Sequence, residues 1–158
     1  MTTPSAISLL GWLALCFAGA WLGSAYTRPS LANWYASLSK PSWNPPNRWF
    51  GPVWTILYAM MAVAAWQVSK HEDRPAVAVA IGFFLIQLIL NLLWSIIFFH
   101  WRRPGSAFLE ICWLWCSILA TIFFFSKLDR LATALLVPYL LWVSFAAVLN
   151  FSIWRRNA

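Results

Sequence analysis

The run Ala76–Phe99, AVAVAIGFFLIQLILNLLWSIIFF, decides the fold. It carries no charged side chain and is long enough to cross roughly 30 Å of hydrocarbon as a helix, which takes ~20 apolar residues. Four similar runs accompany it, at Ala6–Tyr26, Phe50–Val68, Ala107–Phe125 and Leu131–Trp154. The chain of 158 residues is 62% hydrophobic and 9% charged, whereas an ordinary soluble domain is roughly half apolar and a quarter charged. Its mean hydropathy is +0.70, and a globule this small cannot hide so much apolar surface from water. These figures exclude a water-soluble enzyme, a disordered chain and a disulfide scaffold. The expected fold is an all-α integral membrane protein, a single five-helix transmembrane domain over residues 1–158.

The connections shape the bundle. Ser69–Pro75, His100–Ser106 and Ser126–Arg130 are short, so neighbouring helices must run antiparallel. The first connection, Thr27–Trp49, is long and holds three Trp, one Tyr and four Pro. Such a segment is too stiff and too aromatic for a tether, and reads as a folded lid. Met1–Ser5 lacks the basic residues that open a cleavable signal peptide, so the first run is expected to remain as a helix.

The net charge of +7 is distributed as topology signalling, not as a nucleic-acid-binding stripe. The lid, the His100–Ser106 connection and the last residues hold Arg28, Lys40, Arg48, Arg102, Arg103, Arg155 and Arg156; the opposite side holds Lys70, Arg74, Lys127 and Arg130. The positive-inside rule then places the lid in the cytoplasm and the N-terminus outside, as expected in a bacterial inner membrane. Within the spans the one charged residue is Glu110, placed to snorkel or to pair with Arg102 or Arg103. Ion-coupled pumps and proton relays depend on ionisable groups at depth, so that class is disfavoured. Cys112 and Cys116 share a helix face without His or carboxylate beside them, and no metal or resident cofactor is expected.

Thirteen tryptophans are the most distinctive feature. Trp12, Trp21, Trp49, Trp66, Trp101 and Trp154 fit an interfacial belt. Trp142 falls mid-span, and Trp113 and Trp115 fit a belt poorly, so these indoles should face protein or a cavity. Helical spacing aligns Gln87, Asn91 and Trp94 on the third span, Trp54, Tyr58 and Met61 on the second, and Trp142, Ala146 and Asn150 on the fifth, just past Pro138. Two readings follow. The amides are interhelical glue among core aromatics, or the faces enclose an apolar, aromatic-walled pocket under the lid, suited to a large flat hydrophobic ligand.

Several stretches together resemble a known signature. They are Trp34-Tyr35, Lys40-Pro41-Ser42-Trp43-Asn44-Pro45-Pro46, Gly51-Pro52-Val53-Trp54 with Leu57-Tyr58, Gln87, Leu90-Asn91, Trp94, Phe98-Phe99, Pro138-Tyr139-Leu140, Trp142, Phe145-Ala146 and Leu149-Asn150. In order and spacing they resemble the translocator protein family, also called tryptophan-rich sensory protein or peripheral benzodiazepine receptor. The resemblance implies a five-helix bundle that pairs into a homodimer and binds protoporphyrin IX, or haem, beneath the first loop. Isoquinoline carboxamide and benzodiazepine drugs, and in some members lipid or sterol, are further implied ligands. Trp54 and Trp142 match two tryptophans implicated in light-dependent porphyrin breakdown, and Asn91, Trp94, Ala146 and Leu149 match pocket-lining positions. The implied ligand set is Trp34, Tyr35, Pro45, Trp54, Tyr58, Gln87, Asn91, Trp94, Trp142, Ala146 and Leu149. The chain departs from animal members at Phe151, which replaces the tyrosine of a proposed sterol motif, and at Ser106, which replaces a tryptophan.

Three functions are therefore in view: a receptor or sensor for tetrapyrroles, a light- and oxygen-dependent porphyrin-degrading enzyme, and a porphyrin or sterol transporter. In the first, Asn91, Gln87 and the lid's Lys40 or Arg48 would approach the ligand's propionates. A small-residue pair, Gly19 and Gly23, offers either a dimer contact or close packing within the chain.

Overall fold

A computed structural model describes residues 3–158. Five helices form: α1 (Thr3–Ser30), α2 (Phe50–Ser69), α3 (Arg74–Ser95), α4 (Pro104–Ser126) and α5 (Arg130–Asn157). Each is long and apolar enough to cross a membrane, and the chain is an all-α, multi-pass integral membrane protein. Local chemistry sets the helix starts. Asp73 caps α3 by accepting from the Ala76 amide at 3.1 Å, and Asp129 caps α5 by accepting from Ala132 at 2.7 Å. Pro75 and Pro104 occupy the first turns of α3 and α4, where a missing N–H costs nothing.

Around the bundle the helices run α1, α2, α5, α4, α3 and back to α1. Ala62, Ala64 and Ala65 are fully buried on α2, which lets neighbouring backbones approach closely, while Phe84 stacks on Phe125 at 6.0 Å and Phe83 on Phe124 at 4.8 Å. Ile7, Leu10, Ile56, Ile89, Leu109, Leu141 and Val148 point outward, forming the surface that hydrocarbon covers. Lys70 and Lys127 lay their ammonium groups over the rings of Trp66 and Phe123 at 3.7 and 4.9 Å, at the ends of α2 and α4.

Two helix ends widen. Pro29 cannot donate to the carbonyl of Ala25, and just beyond it the chain passes into a π-turn, Leu31–Tyr35; α3 ends in another, Ile96–His100. The two abut: Ser30 Oγ donates to Phe99 O at 2.8 Å, and Trp34 and Tyr35 lie against Phe98 at 5.6 and 6.3 Å. Arg102 then takes a left-handed conformation (φ 56°) that turns the chain into α4.

Three expectations are corrected, and the alternatives open for Gly19 and Gly23 are resolved. The lid is shorter than Thr27–Trp49, because helical backbone continues from α1 through residue 37 and resumes at Asn47. Loop-forming residues at 27–37 are overridden because Tyr35 and Ser30 are buried against the π-turn of α3. Trp113 faces outward at 72% exposure, since the inward face of α4 is taken by Ile111, Leu114, Ser117 and Ile118. Glu110 neither snorkels nor pairs with Arg102 or Arg103; it is buried, and neither carboxyl oxygen has a hydrogen-bond partner among the described residues. Gly19 and Gly23 pack within the chain: a Cβ at Gly19 would meet Leu88 at 3.7 Å and one at Gly23 would meet Ser95 at 3.4 Å.

Candidate functional site

A cavity of about 560 Å³ lies at the lid end of the bundle. Its walls come from α1, α2, α3 and α5 with the two π-turns and the 3-10 turn Asn47–Trp49, and no residue of α4 lines it. Both π-turns contribute to the lining, Leu31 and Tyr35 from one and Phe98 and Phe99 from the other.

Polar side chains form the inner end. Tyr58 Oη donates to Asn91 Oδ1 at 3.1 Å, Asn91 Nδ2 donates to Tyr139 Oη at 2.7 Å, and Tyr139 Oη donates to Gln87 Oε1 at 2.8 Å. This chain ties α2, α3 and α5 together. On one wall Trp94 Nε1 donates to Asn150 Oδ1 at 3.0 Å, and Asn150 Nδ2 donates to Pro104 O at 2.8 Å. Aromatic rings supply most of the remaining surface: Trp94 stacks on Phe98 at 5.3 Å, Trp142 meets Phe50 at 6.0 Å and Phe145 at 5.4 Å, and Trp54 meets Tyr58 at 5.6 Å.

Eight of the residues expected from sequence line the cavity: Tyr35, Trp54, Tyr58, Asn91, Trp94, Trp142, Ala146 and Leu149. Three do not. Gln87 lies behind Tyr139 as the end of the polar chain, Trp34 packs edge-on against Phe98 at 5.6 Å, and Pro45 sits in the lid outside the lining. Lys40 is also committed elsewhere, donating to the carbonyls of Tyr35, Ala36 and Leu38 at 2.7, 3.2 and 2.9 Å, where it caps the helical segment beneath the lid. The two readings of the amides thus divide by residue: Gln87 is interhelical glue, while Asn91 and Asn150 are both glue and wall.

Sequence reasoning missed Phe17, Trp21, Arg28, Phe98, Phe99 and Phe145 as lining residues. Trp21, assigned to the interfacial belt, stands on the cavity rim and is still 69% exposed. Arg28 and Arg48 are the cationic residues of the lining, which contains no acidic side chain. Neither guanidinium has an ion-pair partner among the described residues. Arg28 falls within the predicted lid, Thr27–Trp49, whereas in the structure it belongs to α1, which continues through Ser30.

Among the described residues the lining holds no Cys, His, Lys or carboxylate. It offers aromatic faces, a few hydrogen-bonding groups at the inner end and two fixed positive charges at the mouth. Its volume is within the roughly 300–1,000 Å³ of small-molecule pockets.

The fold and site together define a polytopic membrane protein built around a ligand-sized aromatic cavity at the end of the bundle that carries the first loop. The TspO/MBR family profile matches residues 12–155, and the chain belongs to that family of membrane sensors and translocators. It is 45% identical to the tryptophan-rich protein TspO of Chlorobaculum tepidum across 92% of each chain. It is 42% identical to protein CrtK of Rhodobacter capsulatus across 78% of each, and 34% identical to the human translocator protein across 98% of this chain and 92% of that one.

Proposed function

We propose that the protein is a membrane receptor for tetrapyrroles, with protoporphyrin IX as the ligand held in the cavity. The observation that carries this reading is the joint lining by Trp54, Trp94, Trp142 and Phe145 with Arg28 and Arg48. A porphyrin is a flat apolar disc with two carboxylates on one edge. Its faces would lie on the indole and phenyl rings, and its propionates would meet the two guanidinium groups at the mouth. Isoquinoline carboxamide and benzodiazepine drugs, and lipid or sterol, would compete for the same aromatic surface. The excess of Lys and Arg at the lid end supports a cytoplasmic lid in a bacterial inner membrane. A homodimer fits the family resemblance, and its seam would use a face other than the Gly19–Gly23 stripe, which α3 occupies.

A second reading, light-dependent porphyrin degradation, draws on the fact that Trp54 and Trp142 line the same cavity. Such a reaction would use the porphyrin as its own photosensitiser, with the indoles trapping reactive intermediates. One experiment separates the two. Purified protein is titrated with protoporphyrin IX in darkness, following tryptophan fluorescence, and then illuminated while porphyrin absorbance is recorded. Saturable quenching with porphyrin loss no faster than in a protein-free control is the receptor result. Protein-dependent loss that Trp142→Phe abolishes is the enzyme result, and absence of saturable quenching removes both.

A further inference from the structure

We infer that the corner where α4 begins and α5 ends is a binding site for an anionic glycerophospholipid. Its phosphate would meet Arg102, Arg103 and Arg155, and its acyl chains would lie along the outer seam of the two helices. This site is separate from the tetrapyrrole reading, because neither these arginines nor any residue of α4 lines the cavity.

Packing builds the corner. Asn150 Nδ2 donates to Pro104 O at 2.8 Å and Trp154 stacks on Phe108 at 6.0 Å, so the end of α5 lies on the start of α4. Phe151 lies against Phe108 at 5.0 Å, and Arg155 stands one helical turn beyond Phe151 on the same face. Arg102 and Arg103 immediately precede the first turn of α4. These three arginines and Arg156 are all exposed. No carboxylate side chain of the protein is placed to compensate them. Of the four acidic residues, Glu72, Asp73 and Asp129 lie at the opposite end of the bundle, and Glu110 is buried within α4. The ion pair among the described residues, His71 with Asp129, is at that opposite end too. Like charges gathered this way repel one another and are relieved by an anion from outside.

The surface beneath the arginines indicates what carries the anion. Trp101, 55% exposed, borders an open depression of about 330 Å³ with Arg103, as an indole at headgroup level does. Deeper along the same helices, Leu109 and Trp113 of α4 and Phe151 and Val148 of α5 are exposed and apolar. Charge and then hydrocarbon, in order of depth, is the profile of a diacyl phosphate. A free phosphate would use the arginines alone. A choline headgroup would bring a further cation to four arginines, which selects a lipid of net negative charge.

The test uses the full-length protein, delipidated in non-ionic detergent and titrated with dioleoylphosphatidylglycerol. Dioleoylphosphatidylcholine and inorganic phosphate are run in parallel. Melting temperature reports occupancy, and native mass spectrometry counts the lipids retained. Wild type is compared with Arg103→Gln/Arg155→Gln and with a control at the opposite end, Lys70→Gln/Lys127→Gln. Arg102 is left in place because its backbone is left-handed (φ 56°). The expected result is a saturable rise in melting temperature with phosphatidylglycerol and one such lipid retained per chain. The half-saturating concentration should rise roughly tenfold in the arginine variant and stay unchanged in the lysine variant, as loss of charge-assisted hydrogen bonds implies. Equal protection by phosphatidylcholine overturns the charge selectivity, and this comparison on wild type needs no variant to fold. Equal protection by inorganic phosphate overturns the lipid assignment. An unchanged arginine variant, or equal weakening in the lysine variant, overturns the corner as the site.

Discussion

The hydroxyl of Tyr139 lies 2.7 Å from Nδ2 of Asn91, joining α5 to α3 through a buried pair at a depth where hydrocarbon offers no replacement partner. The same hydroxyl donates to Gln87 Oε1 at 2.8 Å. Tyr139→Phe therefore strands a donor on Asn91 and an acceptor on Gln87 at once. Intramembrane hydrogen bonds are each worth about 0.6–2 kcal/mol, so the loss should be at the upper end or above it. The measurement is the apparent melting temperature in detergent at fixed scan rate, which should fall clearly. An unchanged value would mean that the polar chain contributes nothing to stability.

Gly105 and Gly82 make a contrasting pair. A Cβ on Gly105 would sit 2.8 Å from Trp154 Nε1 and 2.9 Å from Cε2, and that indole packs against both Phe108 and Phe151. Gly105→Ala should destabilise by about 1–3 kcal/mol through forced repacking. Nothing lies within 4 Å of a Cβ on Gly82, so Gly82→Ala should be neutral or stabilising by up to about 1 kcal/mol through helix propensity. Thermal stability of the two variants side by side checks this, and equal effects would contradict the packing described for α4 and α5.

The arginines at the mouth predict a charge-dependent selectivity. Arg28→Gln with Arg48→Gln should weaken protoporphyrin IX binding by roughly tenfold or more, as expected for lost charge-assisted hydrogen bonds. Binding of the porphyrin dimethyl ester, which has no carboxylate, should be nearly unaffected. Titrating both ligands against both proteins gives the answer. Equal weakening for acid and ester would mean that the arginines shape the mouth and do not read the propionates.

Asp129 supplies a pH-dependent term at the opposite end of the bundle. Its carboxyl is held below the usual carboxylate range, first by the hydrogen bond from the Ala132 amide, with a further contribution from His71, whose Nε2 lies 3.5 Å from Oδ2. A depressed pKa stabilises the fold when the group is ionised. The contribution is thus complete above the unfolded value of about 4 and is lost as pH falls through the lowered folded value. Asp129→Asn keeps a capping side chain but cannot titrate, so melting temperature against pH should lose its acid-side Asp129 component in that variant. Identical acid profiles for the two proteins would refute this assignment.

Much of the fold was legible in one dimension. Four uncharged apolar runs and a fifth whose one charge is Glu110 lead to lipid-spanning helices, which satisfy the backbone within each segment, and the three short links after the second, third and fourth runs make neighbours antiparallel. The faces carrying Trp54 and Tyr58, Asn91 and Trp94, and Trp142, Ala146 and Asn150 were legible too, because helical spacing aligns them whatever the neighbours are.

What a face meets is a different matter, and only the tertiary structure decided it. Gln87 shares its stripe with Asn91, yet Tyr139 stands between it and the cavity. Trp113 and Trp115 are two residues apart, so they point to different sides of α4: Trp115 donates to Ser144 at 2.8 Å, while Trp113 faces out. Lys40 and Arg48 look alike as lid cations, but helical carbonyls within reach claim the first and leave the second at the cavity mouth. The extent of the lid was decided the same way, since burial of Ser30 and Tyr35 against the turn at the end of α3 outweighs local turn preferences over residues 27–37. Periodicity and hydropathy depend on a residue and its own helix; partner, depth and exposure depend on the other four.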